Sequence, residues 1–146
     1  MSNKLIKPQK PQSNDIFIDD GSKVYTIKNK RGKVIGEFEF RPSDTNIVKR
    51  YEEVVDYLNN FKMPEDTEEA FLAAENEIKV KMSYLIGGDA GEAFFSILGP
   101  FSALASGELF VENVLGAISK VIEKEMSVRT KKVQRRMNKY VAKYHK

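Results

Sequence analysis

The chain of 146 residues carries 24 lysines and arginines, 21 aspartates and glutamates, one histidine and no cysteine. The lack of cysteine excludes disulfides, thiolate metal sites and a cysteine nucleophile. The histidine, His145, is the penultimate residue, where it would be poorly held for catalysis or metal binding. With 41% hydrophobic residues, a chain of this length can form one core, so we predict a single domain.

Charge is distributed unevenly along the chain. Residues 1–12 contain three bases and no acid, and residues 129–146 contain eight bases and no acid. The remaining 13 bases lie with all 21 acids in residues 13–128, which therefore carry a net charge of −8. No stretch has the length and hydropathy of a membrane-spanning helix, and the first residues lack the apolar core of a signal peptide. We therefore expect a soluble protein with an acidic body and two basic ends.

The amino-terminal third predicts an arm followed by a small sheet. Residues 1–14 combine proline, lysine and polar residues without apolar periodicity, which is typical of a disordered arm. An apolar triplet at 16–18 precedes a turn, and residues 24–28 and 34–40 then alternate with period two around a predicted hairpin turn at 29–32. These segments predict two or three antiparallel strands, with Val34 on the apolar face of the last one.

A first amphipathic helix is predicted over 44–61, with Ser43 or Asp44 as its N-cap. Its apolar residues recur at helical spacing, while charged residues occupy the opposite face. The apolar stripe consists of Ile47, Tyr51, Val54, Val55 and Leu58.

Two further helices are predicted before the chain turns. Asp66 or Thr67 caps a second amphipathic helix, and the glycines at 87–88 end it. A short helix near 91–98 is followed by a turn at 99–100.

A long helix is predicted from about Glu108 to Tyr144, because apolar residues keep one helical phase throughout. Unbroken, it would be about 55 Å long, so we expect its end to project. The predicted fold is α+β and mainly α, with a small antiparallel hairpin packed on three or more amphipathic helices. Its domain plan is an arm over 1–14, a domain over 15–128 and a basic helical extension over 129–146.

Residues 91–107 are apolar, rich in small residues and nearly free of charge, which indicates either burial or a contact surface. We predict that this segment binds a partner. The predicted partner-binding residues are Phe94, Phe95, Ile97, Leu98, Phe101 and Leu104.

The glycines at 87–91 lack the Lys-Ser/Thr pair of a phosphate loop, and the carboxylate pairs fall in a turn or on polar helix faces. We therefore expect no enzymatic activity, metal or cofactor.

The basic carboxyl-terminal helix presents a ridge of five cations beside an apolar stripe. We favour docking on an acidic protein or on an acidic neighbouring copy over nucleic-acid binding, membrane-surface binding and a merely solvated helix end. The ridge consists of Lys132, Arg135, Arg136, Lys139 and Lys143.

Four blocks of the sequence resemble one family. They are FEFRPSDTNIVKRYEE at 38–53, FFSILGPFS at 94–102, FVENVL at 110–115 and RRMNKYVAKY at 135–144. The chain resembles the tail assembly chaperones of long-tailed phages and prophages of Gram-positive bacteria.

This resemblance implies a non-enzymatic protein of the host bacterial cytoplasm that binds the tape-measure protein and recruits tail-tube subunits, with homo-oligomers as a further expectation. The alternatives are a structural virion component, such as a head–tail connector or tube subunit, and a small nucleic-acid-binding protein.

Overall fold

The computed structural model describes the backbone of residues 14–144 and the side chains of residues 14–128. Within this part of the chain, a two-stranded antiparallel sheet precedes four helices, which confirms the predicted α+β, mainly α fold. The elements are β1 (Lys23–Lys28), β2 (Val34–Phe40), α1 (Ile47–Asn59), α2 (Glu68–Ile86), α3 (Gly88–Phe95) and α4 (Phe110–Tyr144). The predicted arm, apart from Asn14, and the side chains of the basic ridge lie outside the described residues.

The predicted hairpin turn joins β1 to β2. The Asn29 side chain accepts hydrogen bonds from the backbone N–H groups of Arg31 and Lys33, at 2.9 and 3.0 Å. Gly32 has a φ of +82°, a conformation that residues with a Cβ rarely adopt. Asparagine and glycine at these positions therefore fix where the two strands begin to pair.

The prediction that Val34 lies on the apolar face is wrong. The ladder pairs Ile27 with Gly36 but Lys28 with Val34, so β2 contains one extra residue at this point. A bulge of this kind reverses the side on which the following residues point. Val34 is accordingly 56% exposed.

The apolar triplet 16–18 does not join the sheet. The described residues form two strands, which is the lower of the two numbers predicted. The triplet lies in no helix or strand, and its three side chains are exposed.

The core forms where the inner face of the sheet meets the apolar stripes of the helices. Phe38 of β2 is buried, and its ring lies 5.1 Å from that of Phe94 in α3. The predicted helical stripes supply most of the remaining core, since residues three and four apart share a helix face. These core residues are Ile47, Val54, Ile78, Met82, Leu85, Val111, Val114, Ile118 and Ile122.

Helix α1 begins later than predicted, and neither Ser43 nor Asp44 is its N-cap. The N-cap is Asn46, whose side chain makes no capping hydrogen bond. Asp44 instead accepts a hydrogen bond from the Asn46 N–H at 2.9 Å. Because the Asp44 carboxylate accepts this hydrogen bond within the turn before the helix, α1 starts only at Ile47, three residues after Asp44.

A threonine hydroxyl caps the start of α2, and a glycine separates α2 from α3. Thr67 caps α2 as predicted, accepting the Ala70 N–H at 3.1 Å. Gly87, with a φ of +96°, ends α2 and directly precedes α3. Because the chain re-enters a helix at once, α3 starts at Gly88 and not at the predicted residue 91.

Helix α4 is unbroken to Tyr144, as predicted, and is about 52 Å long.

Helices α2 and α3 approach closely at Gly91, where a Cβ would lie 2.2 Å from the Ser83 Oγ and 3.4 Å from the Ser83 Cα. We expect Gly91→Ala to lower the free energy of unfolding by about 1–3 kcal/mol, because the Ser83 hydroxyl would have to turn away and the Ser83 Cβ and Cα, at 3.3 and 3.4 Å, would still be crowded. Urea denaturation measures the change.

Gly116, in the exposed interior of α4, has nothing within 4 Å of a Cβ and provides the control. Gly116→Ala is expected to raise the free energy of unfolding by about 0.5–1 kcal/mol, through helix propensity alone. A Gly91→Ala protein as stable as the unmodified chain would show that α2 and α3 do not meet this closely.

Candidate partner-binding groove

An open groove of about 520 Å³ lies between α1 and the first half of α4. Helix α1 forms one wall, α4 forms the other, and the loop between α3 and α4 contributes to the floor. The apolar residues that line it are Tyr51, Val55, Leu58, Phe61, Ile78, Phe101, Leu109, Val111 and Leu115.

The α1 wall is apolar because Tyr51, Val55 and Leu58 follow one another at spacings of four and three residues. These residues continue the stripe that buries Ile47 and Val54, but they lie at its edge and are only partly buried. The α1 wall therefore presents apolar side chains to the open groove.

Two tyrosine hydroxyls hold α1 against α2 and so fix the position of this wall. Tyr57 of α1 donates a hydrogen bond to Glu77 of α2, and Tyr84 of α2 donates to Glu53 of α1 at 2.6 Å. Burial and the neighbouring Glu77 carboxylate raise the pKa of Tyr57 to about 12. The phenol thus keeps its proton, and with it the hydrogen bond, at neutral pH.

The α4 wall has small residues at its centre and charged residues along its rim. Gly116 and Ser119 occupy the centre, while Glu112, Lys120 and Glu123 flank them on the same helix face. The missing side chain at Gly116 leaves open space beside the apolar α1 wall. The groove therefore combines an apolar interior with a polar rim, which suits a macromolecular partner.

A hydrogen bond between side chains of the two helices joins the walls of the groove. The Tyr51 hydroxyl lies 3.1 Å from the Ser119 Oγ, and Ser119 lies 3.4 Å from a Glu123 carboxylate oxygen. These contacts fix the separation of α1 and α4 at Ser119.

Phe101 forms part of the floor of the groove. Its ring lies 5.5 Å from that of Phe61 and 5.2 Å from that of Phe71. Its backbone N–H donates a hydrogen bond to the Glu75 carboxylate of α2, at 3.1 Å. Glu75 therefore ties the loop before α4 to α2.

We expect Glu75→Ala to lower the free energy of unfolding by about 1–3 kcal/mol, because the partly buried Phe101 N–H would lose its acceptor. Glu75→Gln keeps an acceptor oxygen and is expected to cost less. Thermal or urea unfolding of both variants distinguishes them. Equal losses would show that the hydrogen bond does not hold the loop.

The six predicted partner-binding residues differ in how deeply their side chains are buried. Phe94 and Phe101 are each 8% exposed, and Leu98 is 40% exposed. The other three, Phe95, Ile97 and Leu104, are partly buried against the core. Phe101 is the one that lines the groove. Partner binding by this segment stays a prediction, and burial leaves Phe94 little surface to offer.

The groove residues on α1 and α4 were not predicted as a binding site. The sequence identifies Val55 only as a member of the apolar stripe of the first helix, and it gives the long helix an apolar stripe without assigning it a partner. A stripe shows which side of a helix is apolar, but it does not show which neighbouring helix covers each edge. The sequence feature that could have indicated the groove is Gly116, a glycine inside a helix and beside the apolar stripe.

A second, more polar cleft lies between the end of β2 and the start of α3, with a volume of about 380 Å³. Its two arginines are already engaged, since Arg41 pairs with Asp20 at 2.5 Å and Arg50 pairs with Asp44 at 3.2 Å. This cleft therefore offers less unpaired charge than its composition suggests.

Among the described residues, no group of three or more histidine, aspartate or glutamate side chains is placed to hold a metal ion. No helix in this part of the chain has the length and apolar character needed to cross a membrane.

Comparison with known proteins identified no matching family model, no matching curated protein and no matching solved structure.

Proposed function

We propose that this protein is a non-enzymatic tail assembly chaperone that binds a tape-measure protein and helps to recruit tail-tube subunits. The observation that supports this proposal most is the apolar groove between α1 and α4. The four sequence blocks that resemble tail assembly chaperones support the choice of partner.

The partner that suits the groove is an amphipathic helix of the tape-measure protein. The α1 wall extends about 12 Å from Tyr51 to Asn59, and the α4 wall extends about 17 Å from Glu112 to Glu123. Two to three turns of a helix span these distances. Apolar side chains of the partner would face Val55, Leu58 and Leu115, in the helix-in-groove mode of recognition.

This proposal places the main contact surface in the groove, whereas the sequence predicts it on the apolar segment 94–104. Apolar side chains of the partner would meet the α1 and α4 walls, and Phe101 would contact them from the floor. The exposed Leu98 remains available for a second contact outside the groove.

The basic segment 129–146 supplies electrostatic attachment in this proposal, since it carries eight bases and no acid. Changing the five ridge residues to glutamine is expected to weaken tape-measure binding and to flatten its salt dependence. Titration calorimetry at two salt concentrations measures both effects. Unchanged binding would remove the basic helix from the mechanism. The five substituted residues are Lys132, Arg135, Arg136, Lys139 and Lys143.

Co-expression with a tape-measure protein tests the proposed function. A chaperone is expected to co-purify with the tape-measure protein and to be missing from purified phage particles. Its presence in those particles would identify a structural virion component instead. Retention on DNA or RNA at low salt, without tape-measure binding, would favour a nucleic-acid-binding protein.

A further inference from the structure

Helix α4 continues well beyond the domain core. Met126 is the last side chain within residues 14–128 that packs against the core, and the helix runs unbroken to Tyr144. Residues 127–144 alone extend about 27 Å at a rise of about 1.5 Å per residue. This segment is therefore a helix longer than either wall of the groove.

The sequence of this segment is amphipathic and strongly basic. Val133, Met137, Tyr140 and Tyr144 recur at spacings of four, three and four residues, which is the repeat of one helix face. Residues 129–146 carry eight bases and no acid. Two such segments would repel each other, so their apolar faces do not suit pairing of these helices with one another. The segment suits an apolar surface that has acidic groups beside it.

The groove between α1 and α4 is a surface of this kind. Its interior is apolar, and its α4 wall carries Glu112 and Glu123, with Lys120 between them. Glu52 follows the groove residue Tyr51 and is exposed. None of these three carboxylates forms an ion pair within residues 14–128. The groove therefore offers acidic groups with which a basic helix can pair.

The segment cannot enter the groove of its own chain. The first half of α4 forms one wall, and Glu123 is the last residue of α4 that lines it. Because α4 is unbroken to Tyr144, residue 129 already lies about 9 Å beyond Glu123 along the helix axis, and each later residue lies farther away. A return to the groove needs a sharp turn that a continuous helix does not make. A helix that lies in the groove therefore comes from another molecule.

We propose that the groove of the free protein binds residues 129–144 of a second copy of this chain. The apolar face of that helix contacts Val55 and Leu58, and its bases pair with Glu52 and Glu123. The inference rests on the groove as a helix-binding site, which the proposed function also uses. Groove and helix are different surfaces, so the contact is head-to-tail and can link copies into rings or filaments.

Self-docking of this kind regulates access to the groove. A contact of two to three helical turns buries less surface than a permanent interface, so it is reversible and depends on protein concentration. In concentrated solution the groove is covered by a second copy, and in dilute solution it is free. A tape-measure helix competes with the second copy for the same surface.

Cysteine cross-linking tests this docking on a chain that has no cysteine of its own. A Gly116→Cys protein is mixed in turn with size-tagged Val133→Cys, Met137→Cys and Tyr140→Cys proteins, and each mixture is oxidised. Ala117→Cys replaces Gly116→Cys in the control mixtures, because Ala117 is exposed and does not line the groove. We expect at least one groove mixture to yield a disulfide-linked heterodimer at least about tenfold above its control, since docking raises the effective concentration of the two thiols.

Equal yields in all groove and control mixtures would overturn the proposal. A Gly116→Cys, Met137→Cys double variant that forms its disulfide within one chain would also overturn it, because α4 would then fold back on itself.

Charge reversal provides a second measurement, without cysteine. Sedimentation of the unmodified protein is expected to show association that increases with concentration. Glu52→Lys combined with Glu123→Lys is expected to raise the apparent dissociation constant at least about tenfold. Glu37→Lys combined with Glu92→Lys changes the net charge equally at exposed positions outside the groove and should leave the constant nearly unchanged. Equal effects of the two double variants, or a monomeric unmodified protein at high concentration, would contradict the proposal.

Both measurements use the protein alone, so self-docking and tape-measure binding fail separately. Tape-measure binding by a protein that never associates with itself would overturn the self-docking and leave the proposed function standing. Cross-linking through position 116 without any tape-measure binding would do the reverse.

Discussion

Replacing Phe101 with alanine is expected to lower the free energy of unfolding by about 3–5 kcal/mol. The side chain is nearly buried, and its ring contacts those of Phe61 and Phe71. Its loss would leave a cavity at the point where the loop before α4 meets α2. Urea denaturation monitored by circular dichroism measures the effect.

Leu98 is the matched control for Phe101, because it lies in the same apolar segment but is exposed. Leu98→Ala is expected to cost less than about 1 kcal/mol, since little apolar surface is lost from the core. If both substitutions are nearly neutral, Phe101 is not a core residue, and the segment is a contact surface as first predicted.

Replacing Gly116 with phenylalanine is expected to weaken tape-measure binding at least about tenfold, a loss of about 1.4 kcal/mol. The new ring would occupy the open space beside Val55 and Leu58, where the partner helix is proposed to lie. The free energy of unfolding should not fall, because glycine has a poor helix propensity and the position is exposed. Titration calorimetry measures binding, and urea denaturation measures stability.

Ala117→Phe is the control, since Ala117 is the next residue of α4, is exposed and does not line the groove. It should leave the affinity unchanged. If Gly116→Phe and Ala117→Phe bind the tape-measure protein equally well, the groove is not the site of binding.

Local sequence patterns predict most of the elements, because each pattern has a local physical cause. The spacing of Ile47, Val54 and Leu58 defines a helix face, and the Asn29–Gly32 turn defines a hairpin. The wrong prediction for the side chain of Val34 has a different cause. An extra residue in one strand is set by the pairing of both strands, and alternation in a single strand does not reveal it.

The site is less predictable than the fold. A charge-free apolar segment such as 94–104 has the same composition whether it packs inside the protein or against a partner. The structure buries Phe94 and Phe101 and leaves Leu98 exposed, a division that depends on where α2 and α4 lie. The groove also depends on the separation of α1 and α4, which lie far apart in the sequence.

The occupancy of the groove can be measured directly by thiol labelling, since the chain contains no cysteine. A single cysteine is introduced at Gly116 in one variant and at Ala117 in another, and the rate of reaction with a maleimide is followed with and without the tape-measure protein. We predict that the tape-measure protein slows labelling at position 116 at least about tenfold and leaves position 117 nearly unchanged, because a bound helix excludes reagent from the groove alone. Equal labelling rates at position 116 with and without a bound tape-measure protein would contradict binding in the groove.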